Sequence, residues 1–343
     1  MEKNTRVKAR VKAHALKEFM NTKEKVVVMG HRLPDADSFG AAIGIYRAAK
    51  TLNKKAYIVI DNPTSSIIPL MNTFSDNQDY EADMFVNNHE AKEIMDDNTL
   101  LVVVDTNKPS ITQCEDLLYM AKMIVVLDHH RQGSDTIRNS VLSYIEPYAS
   151  SASEMVAEIL QYFTEGIRIR NVEADSIYAG IMIDTDNFMQ KTGVRTFEAA
   201  AFLRRCGADV TRVRKLFRED MNDYKARGET IRNAELFRGQ FAISECPSDY
   251  VDSPTVVGAQ AANELLNIVG VKASFVLTEY KGVIYISARA IDEVNVQIIM
   301  ERMGGGGHLN MAGCQLETVD LEGGAQPPKI NLNRNAGWRR NLI

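Results

Sequence analysis

The chain has 343 residues, 45% hydrophobic and 25% charged, with a formal net charge of −5. That length supports two domains with separate cores, and the acidic balance argues against a platform for duplex nucleic acid. Cys114, Cys206, Cys246 and Cys314 form no C-x-x-C pair, which excludes a zinc–thiolate or disulfide framework and fits a cytoplasmic protein; no apolar run reaches the ~20 residues of a membrane span, so no membrane contact is expected of this chain.

Residues 1–23 read as a basic helical connector carrying Lys3, Arg6, Lys8, Arg10, Lys12 and Lys17, with Val7, Val11, Leu16 and Phe19 toward one side. Charge runs are usually solvated, so a solvent-facing connector is expected; a docking surface for an upstream domain is the alternative. Over 24–205, β-type and helical segments alternate. Strands are expected at 26–29, 56–60, 101–105, 124–128 and 179–183, and helices at 38–52 and 151–163. Near-continuous Val, Ile and Leu strands alternating with helices predict an α/β domain with a mostly parallel sheet covered on both faces. A helical linker is expected at 206–238. A smaller α/β domain follows at 239–319, with a helix at 258–268, a hairpin of 273–279 and 283–289 turning at Lys281-Gly282, and a helix at 292–302. The glycine run 304-GGGGH-308 comes next, and 320–343 reads as an irregular tail.

The chemistry sits where the apolar runs end. After 26-VVVMG-30 come His31, Asp35 and Asp37; 101-LVVVD-105 ends in Asp105; 124-IVVLDHH-130 ends in Asp128, His129 and His130; and 180-GIMID-184 ends in Asp184. In open parallel sheets, ligands bind beyond the carboxyl ends of the strands. One Asp at a strand end is more often a turn or capping residue. Six hard or borderline donors together (His31, Asp35, Asp37, Asp105, His129 and Asp184) point instead to a metal site. The set suits Mn²⁺, Mg²⁺, Fe²⁺ or Zn²⁺, and two histidines tilt the choice toward Mn²⁺. Carboxylates ~4 Å apart repel by roughly 4 kcal/mol per pair at an effective dielectric near 20, so the cluster must bind cations or protons. Two divalent ions balance four carboxylates, and Asp105, ending a central strand, is the natural bridge. Such a pair generates a bridging hydroxide and clamps a phosphate for attack.

The glycine run allows successive N–H groups to converge on an anion or a base edge, and Arg289, near the end of a hairpin strand, offers a guanidinium to a phosphate.

These motifs resemble the DHH phosphoesterase superfamily: Asp128-His129-His130 is its name-giving triplet, with His31-x-x-x-Asp35-x-Asp37, Val104-Asp105 and Asp184 as further motifs. Ser287-Ala288-Arg289 and Gly304, Gly305, Gly306, Gly307 and His308 resemble its DHHA1 domain. The resemblance implies an active site in the cleft between the two domains. It places one manganese ion on His31, Asp35 and Asp105, and a second on Asp37, Asp105, His129 and Asp184. It aims His130 at the substrate phosphate with Arg131 beside it, and gives Ser287, Arg289 and 304–308 to substrate binding. Within the superfamily, 29-MGHRLPDADSFGAAIGIYRA-48, 102-VVVDTNKPS-110, 149-ASSASEMVAEIL-160 and 184-DTDNFMQKTGVRTFEAAAFLRR-205 resemble cyclic-di-AMP phosphodiesterases of the GdpP type. That resemblance implies hydrolysis of cyclic-di-AMP to pApA, a homodimer as one possible assembly, and a longer parent with membrane, PAS and GGDEF domains upstream. An oligoribonuclease or pAp phosphatase, or a cyclic-dinucleotide sensor that does not cut, are the alternatives.

Overall fold

The computed structural model describes residues 2–317 apart from Asp76, Glu219, Asp292 and Glu293. The expected tail at 320–343 lies outside the described residues. The chain divides into two compact units, Met1–Arg218 and Glu219–Ile343.

The first unit runs α1 (Glu2–Asn21), β1 (Lys25–Met29), α2 (Ala36–Thr51), β2 (Lys55–Val59), α3 (Ile68–Ser75), β3 (Phe85–Val86), α4 (Asn88–Ile94), β4 (Thr99–Val104), α5 (Asp116–Met120), β5 (Ile124–Asp128), β6 (Leu142–Ile145), α6 (Ala152–Phe163), α7 (Asn171–Asp184), α8 (Val194–Arg205) and α9 (Val210–Leu216). Its strands form one parallel sheet in the order β3-β2-β1-β4-β5-β6. Side chains alternate across a strand, and here both faces are apolar. Val26, Val28, Leu100, Val102, Val104, Val125 and Leu127 pack with α2, α6 and α7 on one side. Val27, Met29, Leu101, Val103 and Val126 pack with Ala91 of α4 and Leu117 and Leu118 of α5 on the other. The strand order reverses between β1 and β4, and such a switch point opens a crevice at the strand ends.

The run at 179–183 is helical, not a strand: it is the last part of α7. A short apolar run fits a buried strand and a buried helix equally. Upstream, the Glu173 carboxylate accepts the Arg170 N–H at 2.9 Å, which starts a helix ten residues before Asp184's turn. Glycines bring this helix close to α2. A Cβ on Gly40 would lie 2.6 Å from the Ser176 carbonyl oxygen, and one on Gly180 2.2 Å from Ser153 Oγ.

Helix α1 is not a solvated connector. Ala9, Ala13, Leu16 and Met20 are buried, and Ala13, Leu16 and Met20 join the core. Val7 and Val11, expected on the apolar side, are 61% and 59% exposed. Small residues let α1 lie close against α6, so alanines rather than valines mark the packed face. Lys12 Nζ donates to the Ser143 carbonyl at 2.9 Å, which ties the helix to β6.

The second unit comprises α10 (Met221–Arg232), β7 (Glu235–Phe237), β8 (Phe241–Cys246), α11 (Pro254–Leu265), β9 (Ala273–Tyr280), β10 (Val283–Ala290), α12 (Val296–Glu301), β11 (Gly306–His308) and β12 (Met311–Glu317). Its sheet is mixed, in the order β11-β12-β10-β9-β8-β7. Among the described residues only β8 and β9 pair in parallel there, and α11 makes the crossover that a parallel pair requires. The β9–β10 loop is Lys281-Gly282, both at positive φ (53° and 77°), a two-residue turn whose twist matches the strands. The stretch 206–238 is divided: Val213 of α9 lies in the first unit's core and Ala226 of α10 in the second's.

Candidate metal centre

Each candidate ligand sits where regular structure ends. His31 follows β1, where the Arg32 N–H donates to the Ile111 carbonyl at 2.7 Å and the Gln113 N–H to the Gly30 carbonyl at 2.9 Å. Asp35 is the N-cap of α2, accepting the N–H groups of Asp37 and Ser38 at 3.0 Å. Asp105 follows β4 with a left-handed backbone, φ 58°. His129 and His130 follow β5, and Asp184 ends α7.

The fold brings all six together around Asp105. His31 Nε2 lies 3.3 Å from Asp105 Oδ2 and 3.6 Å from Asp35 Oδ2. His129 Nε2 lies 3.3 Å from Asp105 Oδ1, 3.7 Å from Asp37 Oδ2 and 3.6 Å from Asp184 Oδ2. Two trios, His31–Asp35–Asp105 and Asp37–His129–Asp184, each hold ligand atoms within 4.8 Å of one another. One Asp105 oxygen faces each histidine. A third grouping, Asp105–His129–His130, passes the same test.

The donor set fits divalent cations on three counts. Asp105 Oδ1 is buried with no hydrogen-bond partner among the described residues, although buried oxygens are normally satisfied. Asp37 is held well above the ordinary carboxylate range by burial and by the neighbouring charges of Asp105 and Asp184. Burial and Asp105 likewise raise Asp184 to about 6. The histidines answer this crowding with protons. Burial alone would lower His31, but the neighbouring carboxylates of Asp105 and Asp35 outweigh it and raise the group to about 10. His129 is raised to about 9 in the same way, chiefly by Asp105 and Asp37. Without metal, the cluster carries protons where cations belong.

Asp37 also serves α6. Its carboxylate accepts the N–H groups of Ala152 at 2.7 Å and Ser153 at 2.8 Å, at the helix N-terminus. Those amides orient the side chain and favour its anionic form. No local pattern signals this link, because 115 residues separate the partners.

His130 is 59% exposed at its side chain, with Nδ1 2.8 Å from Asp128 Oδ1. Arg131 is exposed beside it. In the second unit, Ser287 and Arg289 lie on one face of β10. Ser287, Gly304 and Gly305 line an open pocket of about 420 Å³ with Thr255, Tyr285 and Gln315. Arg289 Nε donates to Asn263 Oδ1 at 2.8 Å, and burial lowers its pKa. The glycine run is not a free loop throughout. Gly306–His308 is a strand paired with β12, and a Cβ on Gly305 would meet the Gly313 carbonyl oxygen at 2.1 Å. Only glycine permits that approach. For His308 only the backbone is described.

Residues 25–181 match the DHH family, N-terminal domain, and residues 241–325 the DHHA1 domain. The chain is 44% identical over 327 residues to the cyclic-di-AMP phosphodiesterase GdpP of Bacillus subtilis (strain 168), covering 94% of this chain and 49% of that protein. It is 40% identical over 324 residues to the cyclic-di-AMP phosphodiesterase PdeA of Listeria monocytogenes, with the same coverage. The chain thus spans about half the length of the curated relatives it matches best among these. A bifunctional oligoribonuclease and PAP phosphatase NrnA of Thermus thermophilus is 26% identical, over 87% of this chain and 86% of that protein. Among solved structures, an exopolyphosphatase-related protein from Bacteroides fragilis shares the fold at a TM-score of 0.74 and 20% identity, covering 89% of this chain and 91% of its own.

Proposed function

The chain belongs to the DHH/DHHA1 phosphoesterase superfamily, and on that premise we propose that it is a phosphodiesterase that hydrolyses cyclic-di-AMP to pApA. The observation that carries the reading is the pair of ligand trios, His31–Asp35–Asp105 and Asp37–His129–Asp184, with Asp105 lying 3.3 Å from the histidine of each. Identity of 40–44% over 94% of the chain to cyclic-di-AMP phosphodiesterases supports the substrate.

His31, Asp35 and Asp105 would hold one divalent ion, and Asp37, Asp105, His129 and Asp184 the other, with Mn²⁺ the ion of choice for a mixed imidazole and carboxylate set. When bound, such a pair supplies a hydroxide nucleophile at neutral pH and neutralises charge on the phosphoryl group. The chain's own groups do the rest. His130 presents Nε2 to a phosphoryl oxygen while Asp128 holds Nδ1. Arg131 offsets the charge that develops there. Ser287, Arg289, Gly304, Gly305, Gly306, Gly307 and His308 hold the remainder of the nucleotide. Four free cysteines support a reducing, cytoplasmic setting.

The test is a direct competition. Purified chain with Mn²⁺ is given cyclic-di-AMP, pApA and pAp, and products are resolved by chromatography. Release of pApA, with kcat/KM at least about tenfold higher for cyclic-di-AMP than for the linear substrates, supports the reading (about 1.4 kcal/mol of discrimination). Preference for pApA or pAp would reassign the chain as an oligoribonuclease or pAp phosphatase. Binding without any product would make it a sensor.

A further inference from the structure

Asn107 lies two residues after Asp105, is 2% exposed, and belongs to neither ligand trio. Its Nδ2 donates to Asp128 Oδ2 and lies 3.5 Å from the His130 carbonyl oxygen. Its Oδ1 is buried without a partner among the described residues. Asp128, itself fully buried, accepts the His130 N–H at 3.1 Å on Oδ1, and His130 Nδ1 lies 2.8 Å from that same oxygen. A carboxylate only accepts, so Nδ1 carries the hydrogen and Nε2 faces outward from the ring's far side.

We propose that Asn107 is a positioning residue for the reaction: acting through Asp128, it locks His130 in one tautomer and one ring orientation. The role of His130 toward phosphate rests on the phosphodiesterase reading; the lock itself does not. Two observations favour this over simple structural support. First, Asn107 leaves its own Oδ1 buried and unsatisfied, a cost met at the residue that gives the buried Asp128 Oδ2 its donor. Second, His130 has a rival acceptor. Asp105 Oδ1 lies 3.6 Å from Nδ1, and it is the atom that also faces His129. A carboxylate turns easily about its terminal torsion. Without the Asn107 bond, the Asp128 carboxylate is free to turn, and the imidazole can defect to Asp105. That move would misdirect Nε2 and disturb the shared carboxylate together.

The experiment is a double-mutant cycle of Asn107→Leu and His130→Gln, with three further readouts. Asn107→Leu alone should lower kcat by about 10–100-fold with little change in KM, the range typical of an orienting partner. In the His130→Gln background it should change kcat less than about twofold, since its effect runs through the imidazole. Manganese stoichiometry should match the parent, and the thermal midpoint should fall by no more than that of Asp128→Asn. Long-range ¹H–¹⁵N spectra of the Mg²⁺-loaded protein should show His130 as a single Nδ1–H tautomer in the parent and a mixture in Asn107→Leu. Asp128→Asn should give the same mixture. An unchanged tautomer in both variants, an unchanged kcat, or an equal loss in the His130→Gln background would each overturn the proposal. If the parent fails to cleave cyclic-di-AMP, the functional reading falls, and the tautomer spectra still decide the role of Asn107.

Discussion

Asp105 combines two demands that conflict in most residues. Its backbone is left-handed and its carboxylate must stay charged between two histidines. Asp and Asn tolerate that backbone far better than alanine or a branched residue. Asp105→Asn therefore separates charge from strain. Its metal-free thermal midpoint should stay level or rise, because one of the crowded carboxylates is neutralised. Bound Mn²⁺ should drop from two equivalents to one or none by elemental analysis. Turnover should fall on the order of 10³-fold, as expected when electrostatic stabilisation is lost. The histidines make metal uptake depend on pH. With His31 raised to about 10 and His129 to about 9, both hold protons at pH 7 when metal is absent. Binding must expel those protons, so affinity should climb from pH 6 to pH 9 and level off above about pH 10. Calorimetry in buffers of different ionisation enthalpy measures the protons released; release of none at pH 7 would contradict the assignment. The cluster of candidate ligands was legible in the sequence because its members share residue type and a position after apolar runs. Asn107 was not, because its partner Asp128 ends a different strand and only the pairing of β4 with β5 brings them together.

Helix α7 shows where local pattern fails at the scale of the element. Strand and helix compete for an apolar run, and only contacts with α2 and α6 decide between them. Those contacts rely on absent side chains at Gly40 and Gly180. Gly40→Ala places a methyl 2.6 Å from a backbone oxygen that cannot rotate away. The helices must part, at a cost of roughly 1–3 kcal/mol for overpacking. Asp37 on α2 and Asp184 on α7 separate with them, so Mn²⁺ affinity should weaken along with stability, as read by urea unfolding and metal titration. Helix α1 makes the complementary case. Leu16→Ala should cost about 2–5 kcal/mol, since Leu16 is fully buried, whereas Val7→Ser and Val11→Ser should stay within about 0.5 kcal/mol. Equal losses for all three would mean that the helix packs on its valine side after all. Charge runs usually mark solvated faces, and that rule concealed a packed face of Ala9, Ala13, Leu16 and Met20.

At the scale of the whole molecule, two cores share one chain. The six ligands all belong to the first unit, which predicts a selective response to metal. Mn²⁺ at about 100 times its Kd should add about 2.7 kcal/mol to that unit for each ion bound. Calorimetry should show its transition moving to higher temperature over an EDTA-treated sample, while the transition of the second unit stays fixed. A common shift of both would mean that the units unfold as one. The α/β class and the second unit's hairpin were legible from strand composition and the Lys-Gly turn. The strand order was not. Pairing β1 with β4 joins segments about 70 residues apart, and β3 has only two residues, too short to leave a pattern.

The scatter of the ligands along the chain has a consequence during synthesis. Asp37 leaves the ribosome long before Asp184. At 5–20 residues per second, the ~150 residues between them take about 7–30 s to make. Asp105 and His129 follow within that interval, but until its end the set lacks Asp184 and cannot chelate both ions. Metal therefore cannot act as a template for the early steps of folding. On the two-ion assignment it would act as a late latch, closing only after the helix that delivers Asp184 has docked, and a nascent chain stalled before that residue should hold at most the ion of His31, Asp35 and Asp105.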